Sequence, residues 1–306
     1  MTGYYSKLIT MRRFILIALL LCSLNVVAQD DLIALVESDS ASKTYVTGAF
    51  KSTRVINAHS VEFLGKGVLD FRILHRFGTL ESGIKEMFGL DDASIRIGLD
   101  YGITNTLTVG VGRSSFNKEL DFFIKKALVR QTTGASSFPL SLVWVSGAVV
   151  HTREWPATAT KKEFKHRLSY YHSLLMASKI SSNLSLQLTP TFVHRNLVGT
   201  TDDNNTFAVG VGGRYKISKR MAFTADYHYV VGLDRDIYSN PLSLGVDIET
   251  GGHVFQLHFS NSTGMNEKAF ITETIGAWDD AEIRFGFNIS RVFNLGRAKS
   301  DSPKKW

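Results

Sequence analysis

In the stretch Ala93–Tyr101, ASIRIGLDY, Ile95, Ile97, Leu99 and Tyr101 fall on one side of an extended chain, while Ser94, Arg96, Gly98 and Asp100 fall on the other. Successive side chains of a strand point to opposite faces, so this spacing predicts a strand with one apolar face and one polar, partly charged face. The split recurs in Met221–Val231, where Met221, Phe223, Ala225, Tyr227 and Tyr229 oppose Thr224, Asp226 and His228. It recurs again where Leu184, Leu186 and Leu188 oppose Ser185, Gln187 and Thr189, and where Phe285, Phe287 and Ile289 oppose Arg284, Asn288 and Ser290. No helical periodicity of comparable length competes with it.

Extended along the chain, the same reading places strands over 66–77, 93–102, 105–115, 119–130, 138–150, 164–180, 183–196, 205–217, 220–232, 241–250, 252–262 and 280–293. Alternation is weak in the fourth and fifth. Tight turns at Thr104-Asn105, Ser181-Ser182, Ser218-Lys219 and Gly251-Gly252 alternate with longer connections at 78–92, 151–163, 197–204, 233–240 and 263–279. Short turns on one rim and long loops on the other mark an outer-membrane barrel. Two connections break the scheme: Ser114–Lys118 is short where a long loop is expected, and 131–137 is long where a tight turn is expected.

A soluble sandwich would also alternate, with Lys and Glu spread freely over its outer face. Here the polar faces carry Gly, Ser, Thr and opposite charges that can satisfy one another inside a lumen. On the lipid face each basic group would cost about 2–4 kcal/mol near mid-membrane. The expected fold is therefore all-β, a transmembrane antiparallel up-and-down barrel of about 12 strands, within a range of roughly 10 to 14. Tyr101, Tyr170, Phe192, Tyr215, Tyr229, Phe259 and Phe293, near strand ends, are placed to form interfacial girdles.

The barrel spans 66–293. Before it, Met11-Arg12-Arg13, the apolar run Phe14–Leu24 and Val26-Val27-Ala28-Gln29 have the form of a signal peptide read from Met11, so residues 1–28 form the expected leader for Sec export. The apolar run falls short of the ~20 residues a spanning helix needs. The only cysteine, Cys22, lies inside it, preceded by Leu21 where a lipoprotein signal has a small residue. Disulfides and thiolate chemistry are thereby excluded from the rest of the chain. Losing the leader removes three of the 35 basic residues against 28 acidic ones, a balance too even for a nucleic-acid partner. Residues 29–65 read as a periplasmic arm, a partial plug or an extra strand, with Thr44–Ile56 mildly β-like, and 294–306 as a periplasmic tail. Leu80–Phe88 reads as one or two helical turns on the outer rim.

Candidate lumen-lining residues are Arg72, Arg76, Arg96, Asp100, Arg214, Asp226, His228, Asp247, Glu282 and Arg284, either along a narrow passage or locked together into a closed core. The histidines lack metal-site spacing, so no metal or other cofactor is expected; His228 and His258 fall on the lumen side, His194 and His253 outside. An outer-membrane lipid hydrolase would need a serine beside an outward histidine. Pairing strands 164–180 and 183–196 about Ser181-Ser182 puts His194 opposite roughly Tyr170 and His172 opposite roughly Phe192, with no serine gained. The glycines at 110, 112, 210, 212 and 213 sit in strands with no helix following, which points to relief of crowding rather than phosphate binding.

Pro241–Phe259 (PLSLGVDIETGGHVFQLHF), Phe285–Phe293 (FGFNISRVF), His75-Arg76-Phe77-Gly78, Ile95–Tyr101, Leu184–Asn196 (LSLQLTPTFVHRN) and Gly210–Lys216 resemble a Bacteroidetes family of outer-membrane β-barrels known as a domain of unknown function, over roughly residues 50–293. The resemblance implies an outer-membrane barrel and carries over no catalytic or binding residue. Phe293 also resembles the aromatic end of the signal read by the barrel-assembly machinery, with thirteen residues after it. The function expected is a non-enzymatic outer-membrane pore or binder for small solutes, with outer-membrane lipid and the assembly machinery as partners. A plugged structural or scaffolding barrel is the main alternative, and the lipid hydrolase a lesser one.

Overall fold

The computed structural model describes residues 43–155, 157, 163–199, 202–232, 234–250 and 253–296. The expected leader, residues 29–42 of the arm and residues 297–306 of the tail lie outside the described residues.

The strands are β1 (Val68–Thr79), β2 (Ala93–Thr104), β3 (Leu107–Ser114), β4 (Glu119–Val129), β5 (Ser141–His151) and β6 (Leu168–Lys179). They continue as β7 (Leu184–Arg195), β8 (Asn205–Lys216), β9 (Met221–Val231), β10 (Leu242–Thr250), β11 (His253–Ser260) and β12 (Arg284–Asn294). Each pairs antiparallel with the next, and β12 closes on β1 from Arg284 opposite Thr79 to Asn294 opposite Val68, giving a closed twelve-stranded barrel. Closure leaves no sheet edge, as strands crossing lipid require.

Burial follows the period of two. In β2, Arg96, Gly98 and Asp100 point inward and are buried, while Ile97, Leu99 and Tyr101 are exposed on the outer face. Phe122, Ile124, Leu186, Leu188, Val209 and Phe223 extend this apolar exterior around the barrel. A band of that size on a folded chain has lipid as its natural cover. Of the expected girdle, Tyr101, Tyr215 and Phe293 are exposed towards the short-turn rim, and Tyr170, Tyr229 and Phe259 towards the long-loop rim.

Weak alternation in β4 and β5 has a structural cause. Their inward side chains include Phe123, Ala127, Val143, Val145 and Val149, all buried, so the inner face of β4 mixes apolar with charged residues and that of β5 is largely apolar. The long connection at 131–137 on the short-turn rim ties the arm to that rim, because Thr132–Thr133 pairs antiparallel with Thr44–Tyr45. The β-like stretch expected over Thr44–Ile56 thus yields a two-residue strand, and the rest runs into the barrel. The short connection on the long-loop rim is a tight turn in which Asn117 and Lys118 take positive φ of 52° and 48°. Leu80–Ser82 forms one of the expected helical turns, as 3-10 structure, whereas Ile84–Gly89 is interrupted by non-helical backbone at Glu86, Met87 and Phe88, the last two at positive φ of 47° and 55°.

Inward glycines make room for long side chains lying across the neighbouring strand. A Cβ at Gly112 would stand 2.6 Å from Arg96 Nε, and one at Gly147 would meet the Tyr171 ring, 2.6 Å from its hydroxyl oxygen. Tyr171 is fully buried, so it has nowhere to turn. Gly147→Val is expected to destabilise the barrel by about 1–3 kcal/mol through overpacking, read as a lowered urea midpoint of its heat-modifiable gel mobility. Gly213→Val, whose nearest neighbour is Leu186 Cδ2 at 3.5 Å, should be close to neutral.

Candidate functional site

The barrel interior is occupied from both ends by the chain itself. From the short-turn rim the arm doubles back as a hairpin: Arg54 and His59 form a bridge, Val55 N–H donates to Ala58 O at 2.8 Å, and Ser60 N–H donates to Thr53 O at 3.0 Å. Its tip is read by polar side chains of the wall. Asp226 Oδ2 accepts both the Asn57 and Ala58 amides, at 3.0 and 2.9 Å. Gln187 donates to His59 O at 2.7 Å, Asn288 to Ile56 O at 3.1 Å, and Gln256 to Val55 O. Arg76 donates to Asn57 Oδ1 at 2.7 Å, and Asn57 Nδ2 to Ser243 Oγ at 3.0 Å. Nearer the rim, Arg72 holds Ser52 Oγ and Thr53 Oγ1, at 3.0 and 2.6 Å. Unpaired backbone groups would be costly inside a barrel, and here the wall supplies their partners.

From the long-loop rim, α1 (Glu267–Thr272) drops inward from the β11–β12 connection, with every residue buried. Asn266 caps it by accepting the Ala269 amide at 2.9 Å. Lys268 Nζ joins Glu119 at 2.7 Å and Glu273, and Asn266 Nδ2 donates to Glu119 Oε2 at 2.8 Å. Burial disfavours the Lys268 ammonium, but Glu273 and Glu119 outweigh it, so its pKa is raised. The two inserts meet where Arg54 NH1 reaches Glu267 Oε1 at 3.0 Å, with both side chains buried. His59 Nε2 lies 3.6 Å from the same oxygen, beyond hydrogen-bond distance.

The interior is divided by chemistry. Around β9 to β2 and β4 the wall is polar and charged. Asp70 pairs with Arg72 at 2.6 Å, Asp100 lies 3.9 Å from Arg72, and Arg96 forms a fork on Asp121 with Nε to Oδ1 at 2.8 Å. Across β5 to β7 an apolar seam of Val143, Val145, Tyr171, Leu175 and Val193 packs in one cluster with Phe50, Val55 and Val61 of the arm. Beside it, at the short-turn rim, a cavity of about 270 Å³ remains, lined by residues including Val61, Glu62, Phe63, Arg130 and Val143.

Of the sequence candidates, Arg72, Arg76, Arg96, Asp100, Arg214, Asp226, His228 and Asp247 are buried on inward strand positions. Arg72, Arg76 and Asp226 hold the arm. Arg96 joins Asp121, and Asp247 Oδ1 accepts from Gln256 at 2.7 Å. His228 lies 3.4 Å from Asp226 and edges onto the Phe270 ring of α1. Arg284 sits half-buried at the start of β12, at the long-loop rim. Glu282 departs from expectation: it belongs to the loop before β12 and accepts the Ala277 amide at 2.9 Å, because the strand begins two residues later than its alternation suggests. Sequence reasoning missed Glu119, Asp121 and Lys125, whose strand alternates poorly, and Arg54, Asn57 and Glu267, which lie outside the strands. Asn266 ahead of Glu-Lys-Ala was the one available sign of α1.

Among the described residues neither a metal centre nor a hydrolase pair is assembled. No group of three His, Asp or Glu able to hold a metal occurs among the described residues. Outside the barrel, β5 supplies what pairing β6 with β7 does not: Ser146 stands directly opposite His172. That ring stacks at 8° on Trp144, its β7 neighbour is Phe192, and no hydrogen bond joins it to Ser146, so the serine and histidine are adjacent without being a built nucleophile–base pair.

A family model described as a membrane-bound β-barrel domain, DUF5777, matches residues 50–293. The chain belongs to this family. The match begins at Phe50, so the family's domain takes in the plugging hairpin as well as all twelve strands. No curated protein matches the sequence. Similar solved structures include the NanC porin (9% identity, 73% of this chain and 98% of that one, TM-score 0.46) and the KdgM porin (10% identity, 74% and 99%, TM-score 0.43). Outer membrane phospholipase A from Escherichia coli is also similar, at 13% identity over 80% of this chain and 97% of that one, with a TM-score of 0.39. The likeness is one of barrel architecture.

Proposed function

We propose that this member of the family is a non-enzymatic outer-membrane barrel for small solutes, held closed by its own two-part plug. The observation that carries the reading is the polar face between hairpin and wall. Asp226, Gln187, Gln256 and Asn288 hold the arm by its backbone groups, and water can replace each of those partners when the arm leaves. Export by the Sec pathway on the 1–28 leader, assembly guided by Phe293 and a Bacteroidetes origin complete the reading. The sequence candidates other than Glu282 then become lining of the passage once the hairpin withdraws.

A second reading, a permanently closed scaffold, is favoured by the apolar seam, since withdrawing Phe50, Val55 and Val61 exposes them and their partners to water. Planar-bilayer recording separates the two. Asn57→Cys with Ser243→Cys, joined by a short bifunctional crosslinker, pins the tip to β10. Discrete openings that stop on crosslinking support the gated barrel. A refolded, heat-modifiable protein that is silent with and without the crosslink supports the scaffold.

A further inference from the structure

We infer that the long-loop rim over β3 to β6 is a binding site for the phosphate groups of outer-leaflet lipid headgroups; this rests on the outer-membrane reading and its orientation. The argument begins with register. Arg113 on β3 is outward-facing and level with Leu120, which pairs with Val150, which pairs with Leu168, so its guanidinium lies at the last apolar row before the loops. Immediately above that row stand Lys118, Arg153 and Arg167.

Two of these cations, Arg113 and Arg167, are fixed in place by neutral groups. Arg113 NH1 donates to Thr152 Oγ1 at 2.9 Å, and Thr152 in turn donates through its amide to Lys118 O at 3.1 Å. Arg167 NH1 donates to His151 O at 2.9 Å and to Arg153 O, while its guanidinium lies over the Trp155 ring at 4.3 Å. No carboxylate lies within ion-pair distance of Arg113, Lys118, Arg153 or Arg167 among the described residues; the adjacent Glu163 is taken by Lys165 at 2.7 Å. Elsewhere in the barrel Arg72, Arg96, Arg54 and Lys268 all meet carboxylates. Four uncompensated cations bordering hydrocarbon, with guanidinium N–H groups left to donate, match the charge and fork geometry of phosphate. Phe164, 66% exposed beside them, adds an apolar anchor at the interface. A soluble anion would have no use for the position level with the apolar row, which favours a lipid as the source of the phosphate.

The test uses the refolded full barrel in mixed micelles with lipid A carrying two phosphates, and with the same lipid after enzymatic dephosphorylation. Retention is measured by native mass spectrometry, and heat-modifiable mobility confirms the folded barrel independently. Binding of the phosphorylated lipid is expected to exceed that of the dephosphorylated lipid, and Arg113→Gln with Arg167→Gln should weaken it about tenfold or more. Arg220→Gln, on the opposite rim, should change nothing. Lys118→Gln, on an exposed turn, gives a smaller loss should the double variant fail to fold. Equal retention of the two lipids, indifference to these substitutions, or full displacement by millimolar inorganic phosphate would each overturn the proposal. Loss of heat modifiability in the unsubstituted chain would instead remove the membrane reading beneath it.

Discussion

Asp226→Ala should release the plug tip. One carboxylate oxygen accepts the Asn57 and Ala58 amides together, and its partner oxygen lies 3.4 Å from His228 Nδ1. Alanine offers no acceptor, so two buried amides lose theirs, at a cost of about 1–3 kcal/mol each. A bias near 3 kcal/mol shifts the closed-to-open ratio by roughly a hundredfold. In single-channel recordings the open probability should rise by about that factor. Trypsin should also begin to cut after Arg54, which is 2% exposed in the closed barrel. Asp226→Asn keeps an acceptor oxygen and should fall between the two. An unchanged open probability together with a protected Arg54 would mean that the seam alone holds the arm.

That contest between seam and polar wall was only half visible in the sequence. Alternation reports what a strand's two faces contact, and β2, β7, β9 and β12 contact lipid on one side and a polar interior on the other, so their residues announced the barrel. Glu119, Asp121 and Lys125 share a strand with Phe123 and Ala127, and a mixed inner face hides the period from which inward charges are inferred. The hairpin had no period to show. Arg54, Asn57 and His59 owe their places to wall residues more than a hundred positions away, such as Asp226 and Gln187, and no local pattern records such a pairing. Ser146 is hidden for a related reason: a strand has two neighbours, and the pairing of β6 with β7 shows only one side of His172.

Arg96 carries the largest stability effect expected in the wall. Its guanidinium lies across the Gly98 and Gly112 positions and forks onto Asp121, with both side chains fully buried. Arg96→Ala leaves a carboxylate without its partner and a hollow above two glycines. Breaking a buried pair from one side costs about 3–5 kcal/mol. The urea midpoint of the folded barrel, followed by gel mobility and Trp fluorescence, should fall accordingly. Removing both charges is a different matter, because the desolvation cost of each disappears with it. Arg96→Met combined with Asp121→Leu should therefore recover most of the loss, giving a favourable coupling of about 3 kcal/mol or more in a double-mutant cycle. A double variant as weak as the sum of its single changes would show that the fork is not a closed pair, and that Arg96 acts on charges further round the wall, of which Asp100 is the nearest in sequence.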